Sequence, residues 1–397
     1  MEPPDGKIVR LLKSIYGLKQ AAYKFKEHLH ENLMKIGFKR LEIDSSVYYL
    51  SDSNGRVVYL TSHVDDLLML SPNLEHIKYV HERLSRCYTM TFDEVATEYL
   101  GYNITRDRSK KILRLDQFGT VSKILSRFPP QHFTRVPKSP FHRKNVNLTE
   151  LEESFLSAVD KTSFQYITGS LLYLAICTRG DLLYAVHLLT RRMSNPRVID
   201  LQRARKVLGY LLHSANYGVT FYGDDEERII GWADSAFNSG EGERKNCFGY
   251  CFQLGATSGM FTNVCKRSTL IAQSSTEAEL YALAEACREL LWIRSFLNEL
   301  NISIVCDLIN QDNTSTISMI KLDGVSERSK HIDVKFNFVK RLVKDKTVMC
   351  PQVATKEMVA DIFTKDLPDD IFGGYSVTVL GRPITNVEVA QELRGLT

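Results

Sequence analysis

The chain has 397 residues, of which 44% are hydrophobic and 25% charged, and its formal net charge is +4. This composition excludes a disordered or fibrous chain, and the length predicts more than one domain. The longest apolar stretch, residues 171–177, is far shorter than the ~20 residues of a membrane helix, so we expect no membrane partner. No apolar signal core opens the chain, and its eight cysteines are scattered, which favours an intracellular compartment, cytoplasmic or nuclear.

Positive charge is concentrated in three blocks of the sequence. Residues 1–40 carry nine Lys and Arg against four acids, residues 101–150 carry eleven against three, and residues 191–210 carry six against one. Aromatic and apolar residues interrupt these blocks, so they belong to folded surface. One such block is as well explained by an ordinary solvated face, but three together favour a nucleic-acid partner.

The N-terminal half combines helical and strand patterns. Residues 9–37 have a helical pattern, and VVYLTSHVDDLLMLS at 57–71 predicts two short strands around Asp65 and Asp66. Four prolines within residues 128–145 indicate a linker or extended arm. Residues 161–215 then carry long helical patterns.

From Arg228 onward, strands come first and then alternate with helices, which predicts a mixed sheet covered by helices. Successive strands are expected at RIIGWADSAF, GYCFQL, GMFTNVCKRSTLIA, ISIVCDLINQDN and TVMCPQV. Helices are expected at about 276–300, 314–321, along KHIDVKFNFVKRLVKD and along KEMVADIFTKDL. The spacings of Ser274 with Glu277 and of Thr276 with Glu279 both suit a capping box at the start of the long helix.

Four acidic residues of this region stand where their side chains can reach one point. They lie near the end of a strand, in the first turn of the long helix, at the end of another strand and inside the last predicted helix: Asp234, Glu279, Asp312 and Asp361. Converging carboxylates repel one another unless cations neutralise them, and hard oxygen ligands select Mg²⁺ or Mn²⁺. Each acid alone is more often a cap or a helix-dipole partner, so spacing does not decide.

The cysteines give a weaker pattern. Cys247 and Cys251 are spaced CxxxC and Cys265 follows, but no HxxxH or second CxxC accompanies them. The sequence therefore does not predict a zinc site.

Five motifs around the acids occur in a characteristic order: ADSAF at 233–237, SSTEAELYAL at 274–283, QDN at 311–313, SKHIDV at 329–334 and ADIFTK at 360–365. In this order they resemble the ribonuclease H domain of copia-type retrotransposon Pol polyproteins. The resemblance implies that the four carboxylates bind the catalytic metal, with Glu279 preferred over its neighbour Glu277. It also places His331 near the phosphates of the hybrid, although a packing role at a helix start is the alternative.

The N-terminal half resembles the reverse transcriptase of the same family. SIYGLKQA at 14–21 matches the element beside the incoming nucleotide, through Lys19 and Gln20. HVDD at 63–66 matches the polymerase turn, which implies Asp65 as a metal ligand with Asp66 beside it. His63 replaces the usual aromatic residue, and TRGDLLYAVHLL at 178–189 resembles a family segment in which Pro is usual at position 180.

The resemblance implies an α+β, mixed α/β fold in four regions. These are a partial reverse transcriptase palm and thumb at 1–127, a linker and helical connection at 128–215, a ribonuclease H-like domain with a five-stranded mixed sheet at 216–370, and a divergent tail at 371–397. The family's fingers and first palm aspartate lie upstream of the point where this chain begins. We therefore expect no DNA polymerisation by this chain alone.

The expected function is cleavage of the RNA strand of RNA–DNA hybrids with Mg²⁺ or Mn²⁺, in a fragment of a retrotransposon Pol polyprotein. Its partners would be the hybrid, template-primer nucleic acid and the rest of the polyprotein. Two alternatives stay open: a catalytically inactive or domesticated nucleic-acid-binding remnant, and a chain that works only within a longer polyprotein or dimer. A binding remnant has no physical reason to keep all four acids.

Overall fold

The structure is a computed structural model that describes residues 15, 17–53, 55–129, 137–141, 154–223, 227–237, 246–269, 271–321 and 330–381. The chain divides into two compact units, residues 1–100 with 295–303, and residues 101–294 with 304–397. This division does not coincide with the four regions predicted from the sequence, whose limits stay predictions. Among the described helices, none has both the length and the apolar character needed to cross a bilayer.

Within its described residues, the first unit contains two helices and a small antiparallel sheet. Its elements are α1 (Ala21–Ile36), β1 (Lys39–Arg40), β2 (Val47–Ser51), β3 (Val57–His63), β4 (Asp66–Leu70), α2 (Leu74–Ser85) and β5 (Glu98–Tyr99). The sheet order is β1-β2-β3-β4. The two strands predicted around Asp65 and Asp66 are confirmed as β3 and β4. The helix predicted over 9–37 begins only at Ala21 within the described residues, because Gly17 adopts a left-handed φ of 91° in a turn.

The core of this unit follows from strand alternation. Tyr48 pairs with Leu60 and Leu50 with Val58, and all four side chains are buried on one face of the sheet. Helix α1 adds Leu29 and Leu33, and α2 adds Val80 and Leu84, to the same cluster.

The second unit begins with three antiparallel strands and a helical layer. The strands β6 (Tyr102–Asp107), β7 (Ile112–Asp116) and β8 (Gly218–Tyr222) pair in that order. The described residues between β7 and β8 form four α-helices: α3 (Phe118–Arg127), α4 (Ala158–Cys177), α5 (Leu183–Thr190) and α6 (Val198–His213). The helical pattern predicted over 161–215 is confirmed as α4 to α6.

A second sheet of this unit, together with one long helix, carries three of the four predicted acids. Its elements are β9 (Arg228–Ala236), β10 (Cys247–Leu254), β11 (Met260–Arg267), α7 (Ser275–Glu299), β12 (Val305–Asn310), α8 (Thr314–Lys321) and α9 (Lys330–Lys344). The strand order is β11-β10-β9-β12, with β12 parallel to β9 and the other pairs antiparallel. The mixed sheet predicted from the sequence is therefore confirmed.

The predicted fifth strand and last helix differ in the structure. Within the described residues the sheet has four strands, and TVMCPQV joins it only through isolated parallel bridges of Met349 to Leu308 and Gln352 to Gln311. The helix predicted along KEMVADIFTKDL is instead two short 3₁₀ turns, Thr355–Glu357 and Val359–Phe363. All five residues of the second turn are buried, so packing overrides the helical pattern there.

The last described helix, α10 (Asp369–Leu380), crosses the limit at 370 that was predicted for a divergent tail. Phe372, Tyr375 and Val379 of α10 are buried in the same hydrophobic cluster as α4, α5 and α6. The segment up to Leu380 is thus part of the core of this unit.

A buried ion pair fixes the entrance to α5. The Arg179 side chain is 1% exposed and donates to both carboxylate oxygens of Asp181, at 2.9 and 2.8 Å, and to Ser214 Oγ and the Ser214 carbonyl. The Tyr210 hydroxyl donates to the same carboxylate at 2.8 Å. Gly180 lies between Arg179 and Asp181 in the chain. A Cβ at this position would lie 2.9 Å from the Asn263 side chain, which explains why the position carries no side chain.

Candidate active site

Three carboxylates from three elements meet in the second unit. Oxygens of Asp234 on β9, Glu279 on α7 and Asp312 just after β12 lie within 4.8 Å of one another, and we call these residues the carboxylate cluster. Asp234 is fully buried, Glu279 is 6% exposed, and Asp312 is partly exposed. The cluster thus has one side open to solvent.

The register of two parallel strands explains the convergence. Asn310 of β12 pairs with Trp232 of β9, two residues before each aspartate. Parallel neighbouring strands end at the same edge of a sheet, so Asp234 and Asp312 reach that edge together. Glu279 lies in the second turn of α7 and faces the cluster, so the Thr276–Glu279 spacing is not a capping box.

Two neighbours hold the cluster in position. The backbone N–H of Ser235 donates to Glu279 Oε2 at 3.1 Å, and the fully buried Gln311 amide lies 3.5 Å from the same oxygen. The Gln311 Oε1 atom accepts hydrogen bonds from the backbone N–H groups of Asp312 and Asn313, at 2.8 and 3.1 Å. The Gln311 side chain therefore orients the backbone that follows β12 and also contacts Glu279.

The fourth predicted acid is joined to the cluster by a lysine. Lys365 Nζ lies 2.7 Å from an Asp361 oxygen and 3.3 Å from an Asp234 oxygen. The Thr364 hydroxyl donates a hydrogen bond to the other oxygen of Asp234. Asp361 is thus beside Asp234, although it is not among the three mutually close acids.

Burial and like charge act on the protonation of these groups. Burial, and then the charges of Asp234 and Asp312, raise the pKa of Glu279 well above its usual range. Burial followed by the Asp234 charge raises the pKa of Asp361 to about 7, against the opposing effect of Lys365. For Lys365, burial alone would lower the pKa, but Asp234 and Asp361 outweigh it and the pKa is raised.

Glu277, the alternative to Glu279, has a different environment. Its backbone N–H donates to Ser274 Oγ at 3.2 Å, and its carboxylate accepts from the Gln273 N–H and the Tyr281 hydroxyl, both at 2.7 Å. It therefore stabilises the start of α7, and it lies outside the group of three acids that the structure brings together.

The predicted polymerase residues lie in the first unit. Asp65 and Asp66 are exposed at the tip of the β3–β4 hairpin, where His63 pairs with Asp66. Lys19 and Gln20 are exposed just before α1. Across the described part of the chain, no third His, Cys, Asp or Glu joins Asp65 and Asp66 in a metal-sized group.

His331 lies in the first turn of α9, and its side chain is outside the described residues. Its predicted place near hybrid phosphates stays a prediction.

Lys365, Thr364 and Gln311 are the site residues that sequence reasoning missed. All three lie inside the motifs that contain the acids, ADIFTK and QDN. The i, i+4 spacing of Asp361 and Lys365 was the available signal, but a surface ion pair explains such a spacing equally well.

The donor set of the carboxylate cluster suits a hard divalent cation. Three carboxylates within 4.8 Å offer only oxygen atoms, which Mg²⁺ and Mn²⁺ prefer. The partly exposed Asp312 leaves room for the water molecules that Mg²⁺ retains. The residues present therefore fit the expected ion.

Comparison with known sequences agrees with the N-terminal motifs. The family described as reverse transcriptase (RNA-dependent DNA polymerase) matches residues 1–134. The Pol polyprotein of transposon TNT 1-94 of Nicotiana tabacum is 28% identical over 385 residues, which are 94% of this chain and 28% of that protein. The Pol polyprotein of transposon RE1 of Arabidopsis thaliana is 27% identical over 93% of this chain and 25% of its own length.

This chain is therefore similar to the Pol polyproteins of copia-type retrotransposons over most of its length, as the motifs predicted. It spans about a quarter of the length of these relatives. A shorter relative, the putative transposon Ty5-1 protein of Saccharomyces cerevisiae, is 28% identical over 70% of this chain and 89% of that protein.

Among solved structures, the LC11 RNase H1 isolated from compost aligns with 35% of this chain at 12% identity and a TM-score of 0.26. The N-terminal RNase H domain of a Mycobacterium tuberculosis protein aligns with 38% of it at 11% identity and a TM-score of 0.25.

Proposed function

We propose that the second unit is a ribonuclease H, which hydrolyses the RNA strand of RNA–DNA hybrids with Mg²⁺ or Mn²⁺. The observation that carries this proposal is the convergence of Asp234, Glu279 and Asp312 from three separate elements. Their order and surrounding motifs, together with the relationship to retrotransposon Pol polyproteins, support the hybrid as substrate. Hybrid recognition would rest on backbone shape and the ribose 2′-hydroxyl.

In this proposal each residue has a distinct task. Asp234, Glu279 and Asp312 would hold the cation, and Asp361 would complete the site from the 3₁₀ turn. Ser235 and Gln311 keep Glu279 directed at its neighbours. Lys365 contacts both Asp234 and Asp361 and offsets one of their two charges before a cation is bound. When bound, Mg²⁺ or Mn²⁺ supplies activation of a water molecule and stabilisation of the leaving oxygen.

The test uses the full chain and a hybrid with a labelled RNA strand. We expect cleavage of that strand with Mg²⁺ or Mn²⁺, and little cleavage of single-stranded RNA or duplex DNA. Asp234→Asn and Glu279→Gln should each lower the rate by about 10³-fold, because loss of a cation ligand removes several kcal/mol of transition-state stabilisation.

Glu277→Gln is the matched control, since Glu277 lies on the same helix and is equally buried but bonds only to local groups. It should keep the parental rate, with circular dichroism confirming the fold of every variant. Equal cleavage by Asp234→Asn and the parent would place the activity elsewhere. Hybrid binding without any cleavage would favour the inactive remnant, in which Lys365 permanently neutralises Asp234.

For the first unit we propose the polymerase role that its family match suggests. Asp65, with Asp66 beside it, would bind the metal of nucleotide addition, and Lys19 and Gln20 would contact the incoming nucleotide or template-primer. Their exposure at a hairpin tip and before α1 leaves them accessible to such partners. A primer-extension assay on an RNA template tests whether this part of the site is sufficient. We expect no extension by this chain alone, and robust extension that disappears in Asp65→Asn would show that another acid of the chain completes the site.

A further inference from the structure

A second group of metal-ligating side chains lies in the same unit, apart from the carboxylate cluster. Ligand atoms of His187, Cys247 and Cys265 lie within 4.8 Å of one another, and we call these residues the Cys–His cluster. His187 belongs to α5, Cys247 begins β10, and Cys265 lies on β11. Cys265 pairs with Gly249, so the two cysteines are diagonal neighbours on one face of the hairpin.

The distance between the sulfurs suits a shared ion better than a covalent bond. The two Sγ atoms are 3.6 Å apart, whereas a disulfide needs about 2.05 Å. Two sulfurs at ~2.3 Å from a tetrahedral Zn²⁺ are separated by about 3.8 Å. The hairpin therefore already holds the thiols at the spacing of two zinc ligands.

We propose that His187, Cys247 and Cys265 bind a divalent cation of the zinc class, as a structural link between α5 and the β10–β11 hairpin. Two thiolates balance the charge of Zn²⁺, the imidazole supplies the third ligand, and a water molecule can take the fourth position. Sulfur and imidazole donors select a different ion from the all-oxygen carboxylate cluster. The two sites would therefore sort their metals by donor chemistry.

The test is the cobalt spectrum of the full chain. The protein is purified under reducing conditions, stripped with a chelator and titrated with Co²⁺. We expect saturation at one equivalent, with a thiolate-to-cobalt charge-transfer band and the intense d–d bands of a tetrahedral site. Added Zn²⁺ should displace these bands. Cys247→Ser, Cys265→Ser and His187→Ala should each reduce the charge-transfer band at one equivalent by more than half.

Two variants separate this site from its surroundings. Cys251→Ser removes a buried thiol of the same strand outside the cluster, and Asp234→Asn removes a carboxylate ligand. Both should keep the cobalt–thiolate band. The absence of a charge-transfer band in the parent protein would by itself overturn the proposal. An intact mass that is lower by two hydrogens, from a Cys247–Cys265 disulfide, would also overturn it. Loss of the band in Cys251→Ser alone would move the site elsewhere.

Discussion

Arg179→Met should be among the most damaging substitutions in the second unit, because it leaves a buried carboxylate without its counter-charge. Arg179 is 1% exposed, and the Asp181 side chain is completely buried. In the variant, Asp181 would keep the Tyr210 hydroxyl as a donor and lose both guanidinium contacts. Removing one partner of a buried ion pair costs about 3–5 kcal/mol.

The free energy of protonating Asp181 sets an upper limit on this loss of stability. A carboxyl that cannot stay ionised takes up a proton, which at pH 7 costs about 1.36 kcal/mol for each pH unit above an ordinary pKa of about 3.9, or about 4 kcal/mol. The stability deficit of Arg179→Met should therefore shrink by about 2.7 kcal/mol between pH 7 and pH 5, since the unfolded chain protonates more readily at lower pH.

Urea unfolding followed by tryptophan fluorescence measures this deficit. The chain has two tryptophans, Trp232 and Trp292, and both belong to the second unit, so the signal reports that unit. Arg288→Met is the matched control, because its side chain is 56% exposed beside Glu285 and should lose less than about 1 kcal/mol. A deficit below about 1 kcal/mol for Arg179→Met, or the same deficit at both pH values, would refute the reasoning.

Three further predictions concern other parts of the fold. Val64 has a left-handed φ of 56°, so Val64→Asn should stabilise the β3–β4 hairpin by about 1 kcal/mol, seen as slower hydrogen exchange of residues 57–70. Phe372 is 7% exposed against Tyr210, so Phe372→Ala should lower the unfolding free energy by about 3–5 kcal/mol, and a loss under 1 kcal/mol would separate α10 from the core. Mg²⁺ at a hundred times its dissociation constant should add about 2.7 kcal/mol of stability, measured by thermal unfolding, and Asp234→Asn should abolish the gain.

The elements that were predicted correctly are those in which the local sequence pattern and the tertiary packing favour the same secondary structure. The β3–β4 hairpin, the helices between residues 158 and 213 and the mixed sheet all follow from local periodicity. The sequence predicts a helix along KEMVADIFTKDL, after Ala354. Burial of the whole turn Val359–Phe363 decided its shape, and no single-sequence pattern carries that information.

The two clusters differ in how far a sequence can predict them. Asp234, Glu279 and Asp312 lie in motifs with a characteristic order, so their convergence could be predicted, although their role stays a prediction. The Cys–His cluster could not be anticipated, because His187 lies on a helix far earlier in the chain than Cys247 and Cys265. Only the packing of that helix beneath the hairpin brings the imidazole to the sulfurs.

Lys365 has a consequence for how the site would take up a cation. Its ammonium group contacts both Asp234 and Asp361 and offsets one of their two charges, so the repulsion between these acids is already reduced before any cation is bound. If the proposed cation binds, its loading would be an exchange, in which the incoming ion competes with an ammonium group that belongs to the chain itself. Occupancy of the site would then depend steeply on the concentration of the ion.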